Sequence, residues 1–271
     1  MHKIPTVKKM IIMDYELQDL AVGYGAKTVA AGIRATLRGG QLTCLLGPNG
    51  AGKSTLLRTL SAFQPPLGGK LLLREDNGQA VEVQECRASE LSRLLGIVLT
   101  DRVSIQGMSV RQLVGMGRTP YTNFWGNLKK EDERIVEEAI GLCGIEALAH
   151  RPVTTLSDGE RQKVMIAKAL AQQTPVILLD EPTAFLDFPS KVDTMLLLGR
   201  LAHEEGKAIL ISTHDLDLAL QTADQLWLMG QGQLRVGPPR QLAEEGILPR
   251  FFQGEHIAFD AAQLRFCIRW N

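Results

Sequence analysis

Between residues 15 and 24 the chain reads YELQDLAVGY, with apolar side chains at alternating positions, and this period of two predicts a strand. The run LTCLL at 42–46 predicts a buried strand that enters a glycine-rich turn, and STLLRTLSAF behind it reads as a helix, giving a β-loop-α unit. QPPLGGKLLL is turn chemistry followed by another strand, and GIVLT is a second buried strand. From about Ser109 to Ala149 the pattern changes to helical spacing, in SVRQLVGMG and EDERIVEEAIGLCGIEALA, separated by the turn-rich RTPYTNFWGN. Apolar runs return in PVILLD, KAILIS and QLWLM with helical segments between them, the rhythm of a parallel α/β core.

This pattern predicts one domain over residues 14–271, preceded by a leader over 1–13. A helical subdomain is expected at about 105–160. The aromatic ending FFQGEHIAFDAAQLRFCIRW suggests a small strand-bearing appendage at about 247–271.

Composition narrows the partners. Thirty basic and thirty acidic residues give a formal net charge of zero, which argues against a general grip on nucleic acid. The four cysteines, Cys44, Cys86, Cys143 and Cys267, are scattered and form neither a disulfide framework nor a zinc pattern. No uncharged apolar stretch approaches the roughly 20 residues needed to cross a bilayer, so a membrane role would need another chain to span.

The chemistry starts at GPNGAGKS, Gly47 to Ser54, which matches G-x-x-x-x-G-K-[ST] between a strand and a helix. The glycines let backbone N–H groups turn towards phosphate oxygens at a helix N-terminus that already favours an anion. Lys53 is placed for the β- and γ-phosphates and Ser54 for Mg²⁺. A glycine-rich turn alone accounts for the bends but not for the lysine. VILLDEP carries a buried strand to Asp180 and Glu181 at its carboxyl end, where α/β sheets place ligands. Strand alternation should aim the two carboxylates differently, Asp180 at the Mg²⁺ shell and Glu181 at the attacking water. STHD puts His214 at another strand end, suited to contact the γ-phosphate and the water. Tyr24, in VGYG, could stack on adenine or simply pack.

LSDGE, Leu156 to Glu160, has the S-x-x-E spacing of a capping box before a helix. With the preceding motifs it resembles the signature of the ATP-binding cassette family, and the resemblance covers nearly the whole chain. It includes a Walker A loop over Gly47, Pro48, Asn49, Gly50, Ala51, Gly52, Lys53, Ser54 and Thr55, a Walker B run from Val176 to Asp180 with Glu181, and the switch His214. AFLD, Ala184 to Asp187, resembles the D-loop. The resemblance implies an α/β fold: a P-loop NTPase core with a mostly parallel sheet, an antiparallel β subdomain and a helical insertion subdomain. It also implies ATP hydrolysis with Mg²⁺, the nucleotide being held between the Walker A loop of one copy and Ser157 and Gly159 of a second, with Asp187 nearby.

Lys53 and Ser157 are 104 positions apart (157 − 53), which leaves room for a compact helical subdomain but not for a long coiled coil. MSVRQLVGMGRTPYTNFWGNL is similar to a segment of the iron-siderophore, haem and cobalamin importer ATPases. That subfamily implies separate polytopic permease subunits, an indirect link to a substrate-binding protein, and a peripheral place on the cytoplasmic face of the cell inner membrane. Trp125 and its aromatic neighbours are then candidates for the permease interface. Rival readings are an exporter's ATPase, or a soluble cassette for iron-sulfur cluster assembly or regulation.

Two departures stand out. Asp158 and Glu160 bring acidic residues to a turn expected to receive a triphosphate. The glutamine expected after GIVLT is absent, so Asp101 is assigned its place as a ligand of Mg²⁺ or water, with Gln106 as the alternative.

Overall fold

The computed structural model of the chain describes residues 12–99, 107–123, 126–254 and 256–269. In chain order, β1 (Met13–Tyr24) and β2 (Lys27–Leu37) form a hairpin, followed by β3 (Leu42–Leu46) and α1 (Lys53–Leu60). Then come β4 (Gly68–Glu75), β5 (Ala80–Glu82), α2 (Ala88–Leu94) and β6 (Leu95–Val98). The helices α3 (Val110–Gly115), α4 (Lys130–Leu142) and α5 (Asp158–Ala171) follow, and the core resumes with β7 (Val176–Asp180), α6 (Phe188–Glu205) and β8 (Ala208–Ser212). The chain continues through α7 (Leu216–Thr222), β9 (Gln225–Gly230), β10 (Gln233–Gly237), α8 (Pro239–Glu244) and α9 (Ile247–Phe251), and the described part ends in a hairpin of β11 (Ile257–Asp260) and β12 (Arg265–Ile268).

The core sheet has the order β10-β9-β3-β8-β7-β6, parallel except for the edge strand β10. Its strands read as continuous apolar runs because both faces are covered. Side-chain alternation divides each run between two cores. Cys44, Ile177, Ile209 and Leu226 pack under the helices of one face, whereas Leu45, Leu178, Leu210 and Trp227 pack with α1 and a second, antiparallel sheet of order β2-β1-β4-β5. The turn after β3 lies close against both sheets, at Met229 of β9 and Val29 of β2.

Three strands escape the hydrophobic pattern: β2, β10 and the three-residue β5. β2 (KTVAAGIRATL) is largely exposed, its alternation is broken at Gly32 with φ 65°, and its register against β1 shifts three times. β10 lies at the sheet edge, so one-sided burial leaves it no apolar run.

The helices α3, α4 and α5 pack on one another. A subdomain boundary at about 160 falls inside α5, which runs unbroken to Ala171. Capping at Ser157 starts this helix, and nothing breaks it at 160. Arg118 and Asp132 form a buried ion pair at 2.9 Å within this group, and Arg118 also donates to the carbonyl of Ala171 at 2.8 Å. At the other end, the β11–β12 hairpin rests on α9 through Phe252, Phe259 and Phe266 in edge and tilted ring contacts, since a two-stranded ribbon alone is marginal in water.

Candidate active site

The turn after β3 is shaped by glycines that no other residue replaces. A Cβ on Gly47 would lie 2.2 Å from the carbonyl oxygen of Met229, and one on Gly52 would lie 2.3 Å from Cγ1 of Val29. Gly52 also has φ 102°, a left-handed conformation that glycine adopts freely. The turn therefore sits directly against β9 and β2, with Asn49 and Gly50 facing solvent. Lys53 folds its ammonium into this turn, donating to the carbonyls of Gly47 at 2.7 Å and Pro48 at 3.2 Å. Burial lowers its pKa from the ordinary lysine value, and the nearby carboxylates of Glu181 and Asp180 oppose that shift. Ser54 is exposed at the start of α1, while the buried Thr55 donates to the phenol oxygen of Tyr24 at 3.2 Å. Tyr24 is thus tied to the loop and still 49% exposed, which leaves a ring face for a base.

Asp180 closes β7, where it pairs in register with Ser212 of β8. The Ser212 hydroxyl donates to Asp180 Oδ1 at 2.6 Å and accepts from the backbone N–H of Glu181 at 2.9 Å. Glu181 has φ 46° and lies past the end of the strand. Glu181 thus follows the strand end through a left-handed backbone turn. A non-glycine residue in this region stores strain that the surrounding contacts must hold. His214, two residues beyond β8, places Nε2 2.8 Å from Glu181 Oε1.

Ser157 caps α5: its hydroxyl accepts from the N–H of Glu160 at 3.2 Å, and the Glu160 carboxylate accepts from the N–H of Ser157 at 2.8 Å. Arg151 holds the other oxygen of Glu160 at 3.1 Å. These bonds, the one from the Ser157 backbone first, keep the Glu160 carboxyl below its usual pKa. The Glu160 carboxylate is thereby turned back into its own helix, and the Ser157 hydroxyl keeps a proton to donate. A Cβ on Gly159 would lie 3.1 Å from Ser190 Oγ, so the signature turn abuts the first turn of α6. Asp187 caps α6 by accepting from Ser190 N–H at 3.1 Å, and the Ser190 hydroxyl first, then this N–H, hold the Asp187 carboxyl below the usual range.

The fold thus brings Lys53, Asp180, Glu181 and His214 to the carboxyl ends of three neighbouring strands, whereas Ser157 and Gly159 sit against α6. The loop suits a triphosphate: glycine-shaped backbone, a helix N-terminus and an inward lysine. Ser54 and Asp180 could share Mg²⁺ with phosphate oxygens and water, the usual way this ion is held. Asp101, Gln106 and Trp125 lie outside the described residues. Sequence reasoning missed Ser212, Arg151 and the ion pair of Lys191 with Asp215; a hydroxyl ending the apolar run KAILIS was the available signal for Ser212.

Residues 30–184 match the family model described as ABC transporter. The chain belongs to the ABC transporter family. It is 41% identical over 236 residues to an uncharacterized ABC transporter ATP-binding protein of Methanocaldococcus jannaschii, covering 87% of this chain and 80% of that one. It is 35% identical over 236 residues to the ferric enterobactin transport ATP-binding protein of Escherichia coli, covering 87% and 85%. A solved inward-facing metal-chelate type ABC transporter superposes with a TM-score of 0.75 at 26% identity, over 95% of this chain and 96% of that chain. As a member of this family the chain is an ATP-binding transport ATPase with the cassette fold. Among the described residues no helix is long and apolar enough to cross a membrane.

Proposed function

We propose that the chain is the ATPase subunit of an importer for a metal chelate, of the iron-siderophore, haem or cobalamin class. It works as two copies on separate polytopic permease subunits, with a substrate-binding protein acting through the permease, at the cytoplasmic face of the cell inner membrane. The observation that carries this reading is the division of the site: Lys53 of the P-loop, Asp180, Glu181 and His214 converge in one place, while Gly159, beside the Ser157 cap, abuts Ser190 of α6. A second copy supplies its Ser157 and Gly159 across the P-loop of the first, and Asp187 lies at that junction. The likeness to the enterobactin ATPase and to the metal-chelate transporter supports the substrate class.

In this reading Mg²⁺, held by Ser54 and Asp180, supplies charge neutralisation at the phosphates. Lys53 leaves its two carbonyl acceptors for phosphate oxygens. Glu181 orients the attacking water and accepts its proton, and His214 exchanges its bond to Glu181 for one at the terminal phosphate.

The test is to purify the chain with the membrane proteins that accompany it and measure ATP turnover with ferric siderophores, haem and cobalamin in turn. Stimulation by one class is the expected outcome; a chain that copurifies with no permease and responds to none of the three overturns the reading.

A further inference from the structure

Asp215 follows His214 and occupies the cap position of α7, where an aspartate ordinarily accepts from its own helix. Its side chain makes no such bond. Instead Oδ2 accepts from the Thr183 hydroxyl at 3.1 Å, and Oδ1 accepts from the Lys191 ammonium at 3.0 Å. Thr183 is buried and lies two residues after Glu181. Lys191 lies one helical turn after Asp187, and its own N–H donates to the Asp187 carbonyl at 3.0 Å. One carboxylate therefore joins the segment that carries His214, the turn that carries Glu181 and the first turn of the helix capped by Asp187.

The side chains of Lys191 and Asp215 are 26% and 33% exposed. A pair so placed contributes little to stability, because desolvation and ordering offset most of the attraction. What it supplies is geometry: Glu181 sits in a strained left-handed conformation, and the contact between His214 and Glu181 depends on how two separate loops are held.

We propose that Lys191 and Asp215 are positioning residues, an ion pair that sets His214 against Glu181 and makes that placement depend on the position of the Asp187 helix. This rests on the reading of Glu181 and His214 as the hydrolytic pair.

The experiment uses the full chain carrying Lys191→Met, Asp215→Asn or the exchanged pair Lys191→Asp with Asp215→Lys, with Glu181→Gln in parallel. Steady-state kcat and KM for ATP and thermal melting are measured. Each single change is expected to lower kcat by about 10- to 100-fold, the scale of a small misplacement of reacting groups. KM and melting should stay close to the parent, and the exchanged pair should recover most of the lost kcat. A parental kcat in either single variant, or a loss explained by KM or melting, overturns the proposal. If the exchanged pair does not melt cooperatively, Lys191→Arg decides: recovery supports the ion pair, and a loss equal to that of Lys191→Met overturns it. Glu181→Gln at parental turnover would overturn the hydrolytic pair itself, whereas an inactive Glu181→Gln beside a fully active Lys191→Met overturns only the positioning role.

Discussion

His214 Nε2 lies 2.8 Å from Glu181 Oε1, so the two side chains proposed to act together at the attacking water and terminal phosphate hold one another. The contact ties the left-handed Glu181 to the segment after β8; in the proposed mechanism the imidazole exchanges it for the terminal phosphate.

Removing the carboxylate should separate binding from turnover. Glu181→Gln is expected to lower kcat by about 10² to 10⁴-fold, the usual contribution of a general base, with ATP affinity retained. Steady-state hydrolysis and equilibrium ATP binding check this. With ATP the same variant should sediment as a dimer; a monomer at high protein concentration argues against the shared site.

The glycine turn should be intolerant of a single methyl group. In Gly52→Ala the Cβ meets Val29 and, at 2.9 Å, Met229 Cε, in a backbone region disfavoured for alanine. A loss of about 1–3 kcal/mol in stability is expected from overpacking and strain, with ATP binding weakened further because the loop must shift. Thermal melting and calorimetric titration with ATP report the two effects separately.

Glu160 makes a pH prediction. Its carboxyl is held below the usual value in the folded chain, so its contribution to stability is present above the unfolded glutamate pKa of about 4.3 and is lost as pH falls through the folded pKa. Glu160→Gln removes this titration while leaving an acceptor for the Ser157 N–H. Melting temperature against pH should therefore be flatter for the variant in the acid range, and ATP turnover at neutral pH should stay near the parent. A steep acid decline equal to the parent's would place the effect elsewhere.

The helical group depends on one buried charge pair. Asp132→Ala leaves the Arg118 guanidinium, only 5% exposed, without its carboxylate, although the carbonyl of Ala171 and the Gln173 side chain still accept from it. A destabilisation of about 3 kcal/mol is expected, at the low end for breaking a buried pair because those acceptors remain. Urea unfolding measures it. A double change of Arg118 and Asp132 to apolar residues should cost less than the single one.

The core strands were legible because burial on both faces writes an unbroken apolar run, and the P-loop because phosphate chemistry needs several residues in fixed succession. β2 and β10 were not, since exposure and an irregular register erase the pattern. The place of Glu160 in LSDGE could not be read without knowing that Arg151 returns to hold it.

The amino-acid sequence by itself determined the phosphate-binding loop, the carboxylates at a strand end, the capped helix after Leu156 and the family they belong to, because each resides in a contiguous stretch whose local chemistry is sufficient. Only the tertiary structure decided which groups meet. The Ser212 hydroxyl bridges the Asp180 carboxylate and the left-handed Glu181 backbone from a separate strand, and the union of His214, Thr183 and Lys191 at Asp215 joins segments up to 32 positions apart. Such contacts depend on how strands and helices stack, and no local run of residues encodes that.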